Sequence, residues 1–226
     1  MSDSKKTLIE KGKKIQRLSQ NQNLQNFRLE SLNNEIKRLQ ELETKISSLE
    51  RLLEINGARS FHPIVARVSM RKLPSWWQSI TLRKGEESGI KEGQGVIYGG
   101  GVAGKVIEAG KRSAEVELIT NSSFRIVAHF SGDDRPVTFQ GSGISTGGNP
   151  LGVVLDVPQD IEALPNKPLQ LITSSLNGTF PQGVPIGKVF ELEGSPDGLF
   201  KKGKVVLNPD LSSIRESTIL IPKKNE

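Results

Sequence analysis

The sequence predicts a mainly β protein with an N-terminal α-helical coiled coil, its β part forming two small barrels in tandem, of roughly six strands each. Three observations predict it. Residues 5–56 contain no proline, a single glycine (Gly12), and Leu and Ile at alternating spacings of 3 and 4. From Phe61 onward the apolar period falls to two, in short runs bounded by Gly, Pro, Asn and Asp. Finally, Gly-Lys-Val at 104–106 returns at 187–189, in GVAGKVIE and GVPIGKVFE, which hints at two related units.

The helix comes first. Leu29, Leu32, Ile36 and Leu39 form one run of the seam, and Leu42, Ile46, Leu49 and Leu53 form the next. The frame slips between Leu39 and Leu42, as at a stammer. Upstream, Gln22 and Gln25 take seam positions, which weakens pairing while helping to set register. A narrow apolar seam on an otherwise polar helix needs a covering surface. A second copy of the helix supplies one, making a dimerisation seam; folding back on the barrels supplies another. A helix of roughly 50 residues would reach about 75 Å.

Gly57-Ala-Arg-Ser60 ends the helical pattern. The strands predicted after it are 64–70, 78–83, 95–98, 104–108, 114–119 and 125–130, then 136–140, 151–157, 169–173, 186–193, 204–207 and 218–221. Divided in chain order, this gives a coiled-coil helix over 1–56, a first barrel over 57–130 and a second over 131–226, and the last strand is also free to return to the first barrel.

Composition removes several function classes. The chain has 226 residues, a net charge of +6 and no cysteine, so disulfides, thiolate metal sites and cysteine nucleophiles are excluded. No apolar run reaches the ~18 residues of a membrane span, and MSDSKKTLIEKGKK lacks the apolar core of a signal peptide. Lys5, Lys6, Lys11, Lys13, Lys14 and Arg17 cluster against Glu10. They read as a solvated helix start or as a contact for anionic lipid or nucleic acid.

The stretch GGGVAGKV (99–106) imitates a phosphate-binding loop up to its last position, where Val106 replaces the required hydroxyl. Such a loop must open a helix. VIEAGKRSAEVELI is instead β-branched at its start and interrupted by Gly110. Gly104 and Gly187 are therefore read as turn and close-packing positions, and no nucleotide or other cofactor is expected. Two barrels also suit an extracytoplasmic serine hydrolase, which needs His, Asp and Ser together. Only His62 and His129 are available, and GSGIS (141–145) shows no nucleophile loop. No catalytic residue and no metal site is expected. Aromatics make up 5% of the chain, too few for a nucleic-acid stacking groove. Trp76 and Trp77 would face opposite sides of a strand, one in a core and one open to a partner. Phe180-Pro181, in the loop SLNGTFPQG, either anchors a partner or plugs its own barrel.

Taken together, three blocks resemble the rod shape-determining MreC family: IVARVSMRKLPSWWQSITLRKGEESGIKEGQGVIYGGGVAGKV (64–106), LQLITSSLNGTFPQGVPIGKVFEL (169–192) and VVLNPDLSSIRESTILI (205–221). Ser175 departs from the family's usual Gly. The resemblance implies a non-catalytic scaffold of the cell-elongation complex on the periplasmic side of the bacterial cytoplasmic membrane. It implies self-association as a dimer or higher assembly. It also implies binding and activation of a class B penicillin-binding transpeptidase, and links through MreD and RodZ to MreB filaments. The family carries a membrane anchor at its start, and residues 1–56 contain no such segment.

Overall fold

The structure is a computed structural model and describes residues 28–30, 32–40, 60–194 and 198–223. Two compact units divide the chain, Met1–Ser47 and Ser48–Glu226. In the first, residues 28–30 and 32–40 are helical. Leu29, Leu32, Ile36 and Leu39 lie along this helix and are each at least half exposed. The remaining seam positions, Leu42, Ile46, Leu49 and Leu53, lie outside the described residues, as does the Lys-rich segment.

The second unit holds twelve strands: β1 (Phe61–Met70), β2 (Ser79–Leu82), β3 (Gly95–Tyr98), β4 (Gly101–Ala109), β5 (Ala114–Leu118), β6 (Arg125–Phe130), β7 (Val137–Ile144), β8 (Pro150–Val157), β9 (Leu169–Thr173), β10 (Pro185–Gly194), β11 (Lys201–Leu207) and β12 (Glu216–Pro222). Every predicted strand exists. They close into two six-stranded barrels, ordered β1-β12-β3-β4-β5-β2 and β10-β11-β8-β7-β6-β9, with all pairings antiparallel. Closure leaves each barrel without a hydrogen-bonding edge along most of its length.

The chain does not divide between barrels at residue 130. β6 belongs to the second barrel, where it pairs with β7 and β9, so that barrel starts at Arg125. β12 returns to the first barrel, with Phe61 opposite Pro222 and Arg67 opposite Glu216. The physical reason is ring closure. β1 is in register with β2 only at Val68 and Met70, and β12 covers its other side and joins it to β3 through Thr218–Leu220. Without β12, the first barrel is an open five-stranded sheet. His62 is part of β1 and exposed, opposite Ile221.

Each barrel is filled by its inward-facing residues. Ile80, Leu82, Val96, Val106, Val116, Leu118 and Ile219 are at most 1% exposed in the first barrel. Ala128, Phe139, Val154, Leu171, Val189 and Val205 are fully buried in the second. Alternation along β11, with Gly203, Val205 and Leu207 in and Lys202, Lys204 and Val206 out, is the period-two signal made physical. Phe124 enters from the segment joining the barrels and meets Phe139 edge-on, with ring centroids 6.4 Å apart and planes at 70°, a favoured aromatic geometry.

Candidate functional site

The two barrels meet where glycines let backbones approach. GGGVAGKV forms the β3–β4 turn and the first half of β4, and no helix follows. A Cβ on Gly104 would lie 1.9 Å from the Glu117 carbonyl oxygen of β5, so a side chain there would force the sheet apart. Gly101 has φ +130, and a Cβ on it would lie 2.1 Å from the carbonyl oxygen of Pro185 on β10. Both backbone conformation and interbarrel space therefore demand glycine. Gly187 plays the part of Gly104 in the second barrel: a Cβ there would lie 2.6 Å from Val206 O. Lys105 stays in its ladder, opposite Gly95 and Glu117.

Beside this contact a cleft of about 650 Å³ opens between the barrels, lined by Tyr98, Gly101, Pro185, Lys188, Phe190 and Asn208 among others. Burial, and then the nearby Asp210 carboxylate, push the Tyr98 phenol up, so it stays a neutral hydrogen-bond donor. Phe190 and Val206 edge the cleft, each 36% exposed. They continue into a shallower hollow of about 360 Å³ with Glu191, Glu193, Lys202 and Lys204. The arrangement offers apolar side chains rimmed by charges of both signs, the usual composition of a protein-recognition surface.

Phe180 is not an exposed anchor. It is 1% exposed, and a Cβ on Gly95 of β3 would lie 2.7 Å from its ring. The ring thus fills the junction with the first barrel, an outcome between the two predicted for it. Pro181 is buried too, and its carbonyl accepts a bond of 2.6 Å from the Thr173 hydroxyl. A hydrophobic loop tip has no better place once a second barrel stands beside it. Ser175, the departure from the family pattern, opens a short 3-10 turn over 175–177, and the left-handed φ falls on Gly178 instead.

Trp76 and Trp77 do not sit on a strand. Pro74 starts a 3-10 turn over Leu73–Ser75, and both indoles lie just past it, each partly exposed. Arg71 organises them. Its guanidinium stands 4.7 Å from the Trp76 ring centre and 5.7 Å from that of Trp77, within cation–π range. Its Nε donates to Trp76 O at 2.7 Å, and one terminal nitrogen donates to Leu211 O and Ser212 O at 3.0 and 2.8 Å. Arg71 so ties the tryptophan turn to the segment leading back into β12. No pattern in the sequence singled it out.

His129 is 4% exposed. Its Nδ1 lies 3.2 Å from Phe130 O and 3.1 Å from Asp133 O, and its Nε2 lies 3.3 Å from the Gln182 amide nitrogen. In that pattern Nδ1–H donates to the carbonyls and Nε2 accepts from the Gln182 amide. These partners anchor β6 to the loop before β10 and include no serine. Ser142, in GSGIS, is exposed at the end of β7. Among the described residues, no helix is long and apolar enough to cross a membrane.

Comparison with known proteins agrees with this architecture. The family described as rod shape-determining protein MreC, barrel core, matches residues 68–221. The cell shape-determining protein MreC of Listeria monocytogenes is 28% identical over 215 residues, covering 89% of this chain and 68% of that protein. Its counterpart in Geobacillus stearothermophilus is 26% identical over 193 residues, with 81% and 65% covered. The chain thus spans about two thirds of the length of these relatives. A solved Listeria monocytogenes MreC superposes with a TM-score of 0.64 at 26% identity, over 86% of this chain and 92% of that one. A chain from the complex between penicillin-binding protein PBP2 and MreC of Helicobacter pylori superposes with a TM-score of 0.55 at 14% identity, over 73% and 99%. At that identity the likeness is one of fold.

Proposed function

Since the chain belongs to the MreC family of rod shape-determining proteins, we propose that it is a non-catalytic scaffold of the cell-elongation complex, which pairs with a second copy and holds a class B penicillin-binding transpeptidase. The observation that carries the reading is the pair of closed barrels joined by a cleft with Phe190 and Val206 at its edge. It is a surface made for a protein partner, on a frame rigid enough to present it. The shared fold with a chain of the PBP2–MreC complex from Helicobacter pylori supports the choice of partner.

In this reading the barrels stand on the periplasmic side of the cytoplasmic membrane. The scaffold activates the transpeptidase and is linked through MreD and RodZ to MreB filaments. The exposed Leu29, Leu32, Ile36 and Leu39 are the start of a dimer seam, because the gain of about 25 cal/mol per Å² of apolar surface buried requires a second surface to cover them. Leu42, Ile46, Leu49 and Leu53 continue it. Phe190 takes over the anchoring role first considered for Phe180.

Two measurements test this. Sedimentation of the chain should show a dimer that Ile36→Asp with Leu39→Asp converts to a monomer with folded barrels; an unchanged oligomer would sink the seam. Binding of the transpeptidase's periplasmic part, read by interferometry, should weaken at least tenfold on Phe190→Ser. Unaltered affinity in a folded variant would remove the cleft as the docking surface.

A further inference from the structure

A second concave site lies on the other elements of the junction. Its volume is about 340 Å³, and it runs between the Leu73–Gln78 turn of the first barrel and Ser142–Ile144 of the second. We propose that this groove binds a neutral oligosaccharide built from N-acetylated hexosamines.

The walls are fixed before any ligand arrives. The Thr120 hydroxyl, fully buried, donates to Trp77 O, and the Gly143 N–H donates to Thr120 O at 2.8 Å. One residue of the connecting segment therefore clamps the tryptophan turn of one barrel to the β7 end of the other. Arg71 braces the indoles through its hydrogen bonds and its stacking. A preformed groove spares the ordering cost that weak ligands cannot meet.

The lining selects the ligand class. Flat apolar area comes from Trp76 and Trp77, with Leu73 (83% exposed) and Ile144 (45% exposed) at the ends. Gln78, Asn121, Ser122 and Ser142 supply amides and hydroxyls around it, and none of the lining residues carries a charge. The Arg71 guanidinium against the indoles donates to Trp76 O, Leu211 O and Ser212 O and is not part of the lining, so an anionic ligand finds no cation among the lining groups and a nucleic acid no basic track. A purely apolar peptide side chain would strip water from four polar groups and give them no partner.

A pyranose satisfies both halves. Its C–H face lies on an indole while its equatorial hydroxyls exchange hydrogen bonds with amide and hydroxyl side chains. An acetamido substituent adds a donor and an acceptor for Gln78 or Asn121 and a methyl group for Leu73 or Ile144. The groove shares no lining residue with the cleft that carries the transpeptidase proposal, and only Ser142 with the hollow that continues it.

Trp76 and Trp77 are the only two tryptophans of the chain, so intrinsic tryptophan emission reports on this groove alone. The intact chain is titrated with tetra-N-acetylchitotetraose (chitotetraose below), and with maltotetraose as the sugar lacking acetamido groups. The expected result is a saturable change in emission with chitotetraose at millimolar sugar. Maltotetraose should require at least tenfold more, and Ser142→Arg, an exposed position, should weaken chitotetraose tenfold with unaltered thermal unfolding. No saturable change, an equal response to both sugars, or an undiminished response in a folded Ser142→Arg variant overturns the proposal.

Discussion

Phe180→Ala tests whether the two barrels are one cooperative body. The side chain is 1% exposed, and its ring faces β3 of the first barrel although it belongs to the loop before β10 of the second. A buried Phe removes about 150 Å² or more from water, which at ~25 cal/mol per Å² corresponds to about 4 kcal/mol. Truncation leaves a cavity, because the carbonyl of Thr179 and the backbone of Gly95 are already in close contact and cannot move inward. The expected loss is therefore about 3–5 kcal/mol. For a chain of this size that lowers the melting temperature by roughly 6–20 °C. Calorimetry and urea denaturation followed by circular dichroism measure it, and the two should agree on a single transition. Transpeptidase affinity, measured well below the new melting point, should be unaltered. A variant that melts like the parent but loses the partner would return Phe180 to the surface and refute the packing argument.

Further outcomes follow from other sites. Gly104→Ala should prevent the first barrel from folding, since its methyl would sit 1.9 Å from Glu117 O, while Lys105→Ala should fold normally; soluble yield and circular dichroism separate the two. Arg71→Lys should cost about 1.5–3 kcal/mol, because one ammonium cannot reach Trp76 O, Leu211 O and Ser212 O together, and urea midpoints measure the loss. The side-chain hydrogen bond from Arg135 holds the Asp133 carboxyl at about 2, below its ordinary value of about 3.9. A depressed pKa contributes stability that is present above the ordinary value and lost as pH falls through the folded one. Asp133→Asn should therefore be slightly less stable than the parent at neutral pH, with the difference closing between about pH 4 and about pH 2; urea midpoints across that range check it.

Local chemistry was legible and closure was not. Val205 and Leu207 announce a strand because they alternate with Lys204 and Val206 on a two-residue period. Gly104 and Gly187 were expected at turns or close approaches; both lie inside strands, β4 and β10, where only the close approach applies. By contrast, nothing in ESTILIP says which barrel needs a sixth strand, since long-range pairing leaves no periodic mark on either partner. The predicted opposite facing of the tryptophans presumed a strand at WW, although the predicted strand begins only at residue 78 and Leu-Pro-Ser just before WW is a turn signal. Phe180 was ambiguous for a different reason. A loop phenylalanine is apolar whether it meets a partner or a neighbouring barrel, and only the fold says which surface lies within reach.

The return of β12 to β1 has a consequence for how the chain is made. The second barrel is contiguous, from Arg125 to Leu207, and sits as an insertion between the fifth and sixth strands of the first. Synthesis therefore delivers the first barrel's opening strands early and its closing strand last. The inserted barrel can fold as soon as it emerges, while the host waits with the outer edges of β1 and β3 unpaired, exposed to edge-to-edge association in the interval. A product truncated just before Glu216 would carry a sound C-terminal barrel and an open N-terminal one. Damage at the end of the message would thus be felt at its beginning, in the barrel that emerges next after the N-terminal helix.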